Sequence, residues 1–167
     1  MSRKQVKIFL ILTVLIAIML FAIRMSETTT RGNLDWPDPD TVTGLKIEHE
    51  DGRILIATRR GGDWSIEQPR RGVGNSKALE DLILMGQRVQ VIERLRNGEK
   101  SHYGLHKPTV RLELRGGDAG TQIAFGDLLT QHYASYMQVD NGPILAVKGY
   151  PVETLQQPFD NFYDKKN

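Results

Sequence analysis

The stretch GLKIEHEDGRILIATRR, residues 44–60, decides the fold because it contains two strands and the turn between them. Leu45, Ile47 and His49 alternate with charged residues, which is the period of a strand with one buried and one solvated face. The Asp-Gly pair that follows is a strong signal for a hairpin turn. We therefore predict an antiparallel hairpin, with His49 on a strand at the edge of a sheet.

The sequence that follows the hairpin extends this sheet. DWSIEQP, residues 63–69, predicts a third strand on which Trp64 and Ile66 share a face and which Pro69 ends. Alternating apolar residues and glycine-rich turns predict four further strands in two hairpins, residues 109–115 with 121–126 and residues 132–139 with 143–147.

A helix is predicted between these two groups of strands. Residues 75–89 carry apolar side chains at helical spacing from Leu79 onward, and Asn75 or Ser76 suits the N-cap. This apolar stripe fits packing on the sheet better than a partner groove, because the strands need a cover. A second, short helix is expected to open at Pro151. The predicted fold class is therefore α+β, a mainly antiparallel sheet with one long and one short helix, and its order of strands and helix would fit two similar halves.

An apolar run precedes the sheet-forming region. Residues 8–23 contain Thr13 as their only polar residue and lie between Lys7 and Arg24. As a helix the run would be about 24 Å long, somewhat short of a hydrocarbon core of about 30 Å. We expect an uncleaved transmembrane anchor; the alternative, a signal peptide, lacks its small-residue cleavage pattern here. The anchor prediction rests on Lys7, Ile8, Leu12, Leu15, Met19, Ile23 and Arg24.

These segments divide the chain into five parts. We predict a cytoplasmic N-terminus at 1–7, the anchor at 8–23, a linker at 24–42, a periplasmic α+β domain at 43–158 and a tail at 159–167. The excess of basic side chains before the apolar run favours a cytoplasmic N-terminus and a domain on the other side of the membrane. In a Gram-negative bacterium this corresponds to the inner membrane, with the domain in the periplasm. Trp36 in the linker is interpreted as a lid on the domain, rather than an interfacial anchor or a partner contact.

The composition excludes several classes of function. The chain has no cysteine, which excludes disulfides, thiolate metal sites and a cysteine nucleophile. Its formal net charge of +2 comes from the first 31 residues, so nucleic-acid binding is not indicated. Residues 59–115 are basic and could form one patch for anionic lipid or an acidic partner, or only scattered surface charge. The patch would consist of Arg59, Arg60, Arg70, Arg71, Arg88, Arg94 and Arg96.

Two histidines stand four residues apart in HYGLHKP, residues 102–108. On one helix face such a pair could chelate a metal, but Gly104 and Pro108 disfavour a helix. We interpret the segment as a bend at Gly104, with Leu105 in the core and Pro108 at the start of a strand. A hydrolase or metal enzyme would need two or more of His49, His102, His106 and His132 to converge with a carboxylate. Their sequence settings do not favour this, and we predict no catalytic residue, no metal and no cofactor.

The order of these elements resembles a bacterial envelope family of unknown biochemical function. The family combines a W-x4-P strand, a Y-G-L-x-x-P turn, a strand pair followed by glycine, and a hairpin that begins with tyrosine. The matching residues here are Trp64, Pro69, Tyr103, Gly104, Leu105, Pro108, Gly126, Tyr136 and Val147. The resemblance covers about residues 43–158. It implies a single-anchor periplasmic protein, linked in some members with gliding-motility and ABC-type transport components, and it supplies no catalytic residue.

We therefore expect a non-catalytic, single-pass periplasmic accessory or structural subunit of an inner-membrane complex for transport or energy conversion. Its expected partners are an integral membrane protein complex and the lipid bilayer, and not nucleic acid. The alternative is a periplasmic binding module for a glycan, a peptide or a lipid. A small molecule held in a real pocket would favour the binding module, whereas a flat surface together with an apolar stripe on the anchor helix would favour the subunit.

Overall fold

The computed structural model of the protein describes residues 34, 36–95, 98–116, 120–129, 134–149 and 151–165. They belong to one unit of the chain, Leu34–Asn167. The described strands are β1 (Val42–His49), β2 (Ile54–Arg60), β3 (Asp63–Gln68), β4 (Gly72–Val73), β5 (Gln90–Leu95), β6 (Val110–Gly116), β7 (Thr121–Leu129), β8 (Ala134–Val139) and β9 (Ile144–Lys148). The α-helices are α1 (Ser76–Arg88) and α2 (Pro151–Leu155), and short 3-10 helices lie at Pro39–Thr41, Lys100–Tyr103 and Phe159–Phe162.

The strands form a single sheet in the order β4-β3-β2-β1-β6-β7-β8-β9-β5. Every neighbouring pair is antiparallel. The meander β1–β4 and the meander β6–β9 therefore meet at the β1–β6 pair, in the centre of the sheet. β5 follows α1 in sequence but pairs with β9 at the far edge. The chain must consequently return across the sheet between β5 and β6.

The β1–β2 hairpin forms as the alternation predicts. Gly52 adopts a φ of 86°, which glycine tolerates without a steric cost. Asp51 Oδ1 accepts a hydrogen bond from the backbone N–H of Arg53 at 3.0 Å, which closes the turn. The placement of His49 on an edge strand is wrong, because β1 pairs on its other side with β6 and His49 lies opposite Val110. This pairing joins segments far apart in sequence, so no local pattern indicates it.

The core lies between one face of the sheet and α1. Asn75 caps the helix, since its side chain accepts a hydrogen bond from the backbone N–H of Ala78 at 3.2 Å. On the strands, Trp64 and Phe125 are among the largest fully buried side chains. The buried residues of α1 are Leu79, Leu82, Ile83, Met85 and Gly86. The predicted packing of the helical stripe into the core of the sheet is confirmed.

Packed structure extends beyond the predicted domain bounds, 43–158. Trp36 Nε1 donates a hydrogen bond to the carbonyl oxygen of Ile83 at 2.7 Å. Its ring lies so close to Gly86 that a Cβ there would overlap it. At the other end of the unit, Phe162 is buried in the same core. Trp36 therefore lies against the domain, as the sequence interpretation has it.

The predicted α+β class with a single transmembrane helix is wrong. The structure is a mainly antiparallel sheet of nine strands with few helices, and no helix in the described residues has the length and apolarity of a membrane crossing. The same finding contradicts the single-pass description. β4 and β5 are not predicted, because β4 has only two residues and the segment of β5 lacks regular alternation. The residues of the predicted anchor, Lys7, Ile8, Leu12, Leu15, Met19, Ile23 and Arg24, lie outside the described residues.

Candidate functional site

The face of the sheet opposite the core, here called the outer face, carries charged side chains on its central strands. Side chains alternate between the two faces of a strand, which places Lys46 and Glu48 of β1 on the outer face. In the register of β1 and β6, Lys46 lies opposite Glu113 and Glu48 lies opposite Arg111. Each of these charges thus faces one of opposite sign, which favours the pairing of the two strands.

The segment 98–109, here called the crossing segment, passes over the outer face between β5 and β6. The ring of Tyr103 packs edge-on against the ring of Tyr136 on β8, with centroids 4.7 Å apart. Tyr136 belongs to the outer face because the next residue, Met137, is in the core. Leu105 in the crossing segment is only 5% exposed. The segment therefore covers part of the outer face with its own side chains.

Two glycines allow the crossing segment to approach β7 closely. Gly104 ends the 3-10 helix with a φ of 68°, in the left-handed region that favours glycine. A Cβ on Gly104 would overlap the side chain of Asp127, and a Cβ on Gly126 would overlap the carbonyl oxygen of Tyr103. The crossing segment is consequently held at one place on the sheet by backbone contact.

A groove of about 290 Å³ lies beside the crossing segment on the outer face of β1, β6, β7 and β8. Its lining residues are Lys46, Glu48, Lys100, Leu105, Arg111, Leu112, Glu113, Gln122, Ile123, Ala124, Gln138, Asp140 and Asn141. Three of them are basic, three are acidic and three carry an amide. The lining is therefore strongly polar but has no net formal charge.

Two carboxylates of the groove are already engaged by neighbouring cations. Lys46 Nζ lies 2.8 Å from Glu48 Oε2, and Arg111 Nη1 lies 3.9 Å from Glu48 Oε1. The hydrogen bond from Lys46 is the main reason why the pKa of Glu48 is lowered; burial opposes this, and the charges of Lys46 and Arg111 add to it. Glu113 Oε1 accepts a hydrogen bond from Arg115 Nε at 2.7 Å, which raises the pKa of Arg115.

Two charged groups of the groove remain without an ion pair among the described residues, Lys100 and Asp140. Asp140 has a positive φ of 49°, and its Oδ1 accepts a hydrogen bond from the backbone N–H of Gln122 at 2.8 Å. This bond fixes the position of its carboxylate at the end of β8. Gln138 is held in a similar way, since its Nε2 donates to the carbonyl oxygen of Gly142 at 2.8 Å.

The arrangement of the groove is suited to binding polar groups. An ionised Glu48 can accept hydrogen bonds but cannot donate a proton. Among the described residues, no histidine, serine or threonine lines the groove. Within the same part of the chain, no three histidine or acidic side chains are placed to share a metal ion. The donors and acceptors of the lining can instead hold a ligand that offers both.

The histidines do not converge in the described residues. His49 is 5% exposed, its Nε2 lies 3.0 Å from the carbonyl oxygen of Leu155, and its ring packs against Phe159. Because a carbonyl oxygen only accepts, Nε2 of His49 carries the proton in this contact. His102 and His106 are exposed on the crossing segment, and His132 lies outside the described residues.

An open depression of about 410 Å³ adjoins His49. It lies at the β1–β2 turn and includes Lys107, whose Nζ is 2.8 Å from Glu50 Oε1. Arg53 Nε is likewise 2.7 Å from Asp51 Oδ2. Because its charged groups are paired with each other and the depression is wide open to solvent, we consider the groove the better candidate.

Five of the predicted structural residues belong to the crossing segment or its contact on β7. The structure brings Tyr103, Gly104 and Gly126 together where the segment meets the sheet. Leu105 lines the groove, and the buried Pro108 leads into β6. The interpretation of the segment as a bend followed by a strand is confirmed. Leu105 is buried, but it lies against the outer face and is not in the core cluster between the sheet and α1.

Trp64 and Pro69, which are also among the predicted structural residues, lie away from the groove. Trp64 is buried in the core, where it packs against the backbone of Gly74. Pro69 follows β3 through a cis peptide bond with Gln68. Neither residue lines the groove.

The arginines of the predicted patch lie at several places on the unit. Arg59 and Arg60 end β2, Arg70 and Arg71 lie between β3 and β4, Arg88 ends α1, Arg94 lies on β5, and Arg96 lies outside the described residues. Among the described residues, ion pairs join Arg59 to Glu80 at 3.8 Å, Arg70 to Asp160 at 3.1 Å and Arg88 to Asp81 at 3.0 Å. Since β4 and β5 are opposite ends of the sheet order, the strands separate Arg94 from Arg70 and Arg71.

Sequence reasoning missed the groove residues. It assigns no role to Glu48, Gln122, Gln138 or Asp140. Alternation does place Lys46 and Glu48 on the polar face of a strand. What the alternation lacks is the strand order, which brings β1 beside β6 and the crossing segment over β7 and β8.

No protein-family model, no curated protein and no solved structure matches the chain. The resemblance to the envelope family therefore stays a prediction from the sequence.

Proposed function

We propose that the chain is a non-catalytic accessory subunit of a bacterial inner-membrane complex, and that its sheet domain binds a partner protein through the groove on the outer face. One observation carries the proposal. The groove combines a net-neutral, polar lining with a framework in which Glu48 and Glu113 are already ion-paired. Such a lining is preorganised to hold a partner and needs no rearrangement of its own charges.

The state of Glu48 argues for binding rather than catalysis. A general acid or base works best with a pKa near the working pH. Contact with Lys46 moves the pKa of Glu48 in the opposite direction, further below neutrality. We therefore assign Glu48 the role of a fixed acceptor, which orients Lys46 and Arg111 toward the groove.

The groove is small for a ligand site and suits a partner that inserts only part of its surface. Its volume of about 290 Å³ is at the lower limit of the range of about 300–1,000 Å³ that is usual for small-ligand pockets. It can hold a few side chains of a partner whose remaining contacts lie on the surrounding sheet. That surface includes β1 and β6, which lie at the centre of the sheet and are paired with a strand on both sides.

Site-specific photo-crosslinking in living cells tests this proposal. A benzoylphenylalanine at Gln122, inside the groove, should crosslink the full-length chain to one defined partner protein. Ser65 provides the matched control, because it is exposed on the outer face of β3 and does not line the groove. Equal crosslinking at both positions, or none at Gln122, would contradict the proposal.

The proposed place of action is the periplasmic side of the bacterial inner membrane. This rests on the sequence alone: the apolar residues 8–23, with more basic side chains before them than after. A reporter enzyme that is active only outside the cytoplasm, fused after Asn167, should be active. Activity of a cytoplasm-specific reporter at the same point would contradict this location.

A binding module for an envelope glycan is the second candidate. The side-chain amides of Gln122, Gln138 and Asn141 favour it, because an amide both donates to and accepts from sugar hydroxyls. Saturable binding of a chitin tetrasaccharide to the full-length chain, lost in Gln138→Leu, would favour this candidate over the accessory subunit.

A further inference from the structure

We propose that the groove holds a short extended peptide segment of the partner that carries one acidic and one basic side chain. Lys100 and Arg111 would bind the acidic side chain, and Asp140 the basic one. This inference rests on the proposed function and specifies the chemistry of its ligand.

The inference rests on those charged groups of the groove that have no ion pair among the described residues. Lys46 and Glu48 satisfy each other at 2.8 Å, and Glu113 is occupied by Arg115. In the part of the chain that the structure describes, Lys100 and Asp140 have no ion pair. A ligand with one negative and one positive group would give each of them a partner.

Arg111 can assist Lys100 in binding a carboxylate. Its closest guanidinium nitrogen is 3.9 Å from Glu48, beyond hydrogen-bonding distance, and 56% of its side chain is exposed. A guanidinium has five N–H donors and binds a carboxylate in a bidentate manner. Arg111 therefore keeps N–H donors for an incoming acidic side chain. The carboxylate of Glu48 attracts the guanidinium of Arg111 from the other side.

The anchoring of Asp140 identifies it as the acceptor for a cation. One of its oxygens, Oδ1, is bound to the backbone N–H of Gln122. The other oxygen can accept from a lysine or arginine side chain of the ligand. Because the first bond holds the carboxylate in place, little side-chain freedom is lost on binding.

The volume and charge of the groove limit the kind of ligand. A volume of about 290 Å³ leaves room for a few side chains of a short segment. A nucleic acid needs a net basic surface, whereas this lining has equal numbers of basic and acidic side chains. A peptide that carries both charges fits the two sets of groups.

The test uses the full-length chain in detergent and two blocked pentapeptides, Ala-Glu-Ala-Lys-Ala and its charge-free analogue Ala-Gln-Ala-Gln-Ala. NMR titration follows the side-chain amide signals of Gln122, Gln138 and Asn141, which lie in the groove. We expect the charged peptide to bind at least tenfold more tightly than the neutral one. Lys100→Gln and Asp140→Asn should each weaken its binding by about tenfold, which corresponds to about 1.4 kcal/mol.

The substitutions are chosen so that loss of folding is not mistaken for loss of binding. Asparagine tolerates the positive φ of position 140 and keeps an Oδ1 acceptor for Gln122. Lys77→Gln, on the exposed side of α1, removes a positive charge outside the groove and should leave peptide binding unchanged.

Equal binding of the two peptides would overturn the inference, and so would perturbation of the groove signals by a chitin tetrasaccharide but by neither peptide. If Gln122 still crosslinks to a partner in either case, only the proposed ligand chemistry fails. If Gln122 crosslinks to nothing, the proposed function itself fails.

Discussion

Gly126 on β7 lies directly against the carbonyl oxygen of Tyr103 in the crossing segment. The contact leaves no room for a Cβ, so only glycine allows the two backbones to approach in this way. Lys100 lies before Tyr103 in the crossing segment and Leu105 lies after it, and both line the groove. The contact therefore also fixes one wall of the candidate site.

Gly126→Ala should therefore destabilise the unit. Insertion of a methyl group where there is no space typically costs about 1–3 kcal/mol. Gly120→Ala is the control, because a Cβ on Gly120 would lie 3.4 Å from the carbonyl oxygen of Leu114, which is an ordinary contact. Its cost should be within about 0.5 kcal/mol. Urea unfolding followed by tryptophan fluorescence measures both, and equal free energies of unfolding for the two variants would contradict the role of Gly126.

Acidification should lower the free energy of unfolding through His49. Burial is the main cause that lowers the pKa of His49; the hydrogen bond to Leu155 opposes it, Arg53 lowers it further and Asp51 raises it. In the unfolded chain His49 has a pKa of about 6.5, so below that pH its imidazole is protonated in the unfolded chain but still largely neutral in the folded chain. The stability is fully present above that pH and decreases as the pH falls toward the lower, folded pKa.

His49→Gln isolates this effect, because glutamine can still donate to the carbonyl oxygen of Leu155 but does not titrate. The free energy of unfolding should fall between about pH 7.5 and about pH 5 more steeply in the wild type than in this variant. The pKa values of Glu48 and Asp51 are lowered below the usual carboxylate range, so these two groups titrate below this pH window and do not contribute to the difference. Identical pH profiles of the two proteins would contradict the assignment to His49.

The ring of Trp36 packs directly on Gly86, so we expect substitutions at the two positions to have strongly coupled effects on the free energy of unfolding. Gly86→Ala should destabilise the wild type by about 1–3 kcal/mol, because the new methyl group displaces the Trp36 ring. In a Trp36→Ala background the ring is absent, and the same change should be neutral or stabilising by up to about 1 kcal/mol, since alanine favours a helix. A double-mutant cycle from thermal unfolding measures the coupling. Additive effects would show that the two residues act independently.

Trp36→Phe tests the hydrogen bond separately. Phenylalanine keeps a ring on Gly86 but cannot donate to the carbonyl oxygen of Ile83. The expected loss is about 0.5–1.5 kcal/mol of unfolding free energy, which is smaller than the loss in Trp36→Ala. A loss in Trp36→Phe as large as that in Trp36→Ala would mean that ring packing contributes little.

Local patterns were sufficient to predict the parts of the fold that depend on neighbours in sequence. The alternation in 44–60 predicts β1, β2 and their turn, and the apolar stripe from Leu79 predicts the buried face of α1. The bend at Gly104 follows from the glycine and from Pro108 after it. In each case the signal lies within a few residues of the feature it predicts.

The groove depends on contacts that have no such local signal. Lys46 and Gln122 share it only because β6 inserts between β1 and β7. Lys100 reaches it only because β5 pairs at the far edge and the chain must return across the sheet. The same pairing makes the sheet larger than predicted, which is why the α+β class was wrong.

The most direct test of the groove as the partner site is to fill it. Ala124 is partly buried on its floor, so Ala124→Trp should occupy the space while Ser65→Trp adds the same ring to the outer face elsewhere. The readout is the amount of the partner identified by crosslinking at Gln122 that co-purifies with each full-length variant, with circular dichroism confirming that both are folded. Our account predicts at least a tenfold loss of the partner for Ala124→Trp and none for Ser65→Trp. Full retention of the partner by folded Ala124→Trp would contradict it.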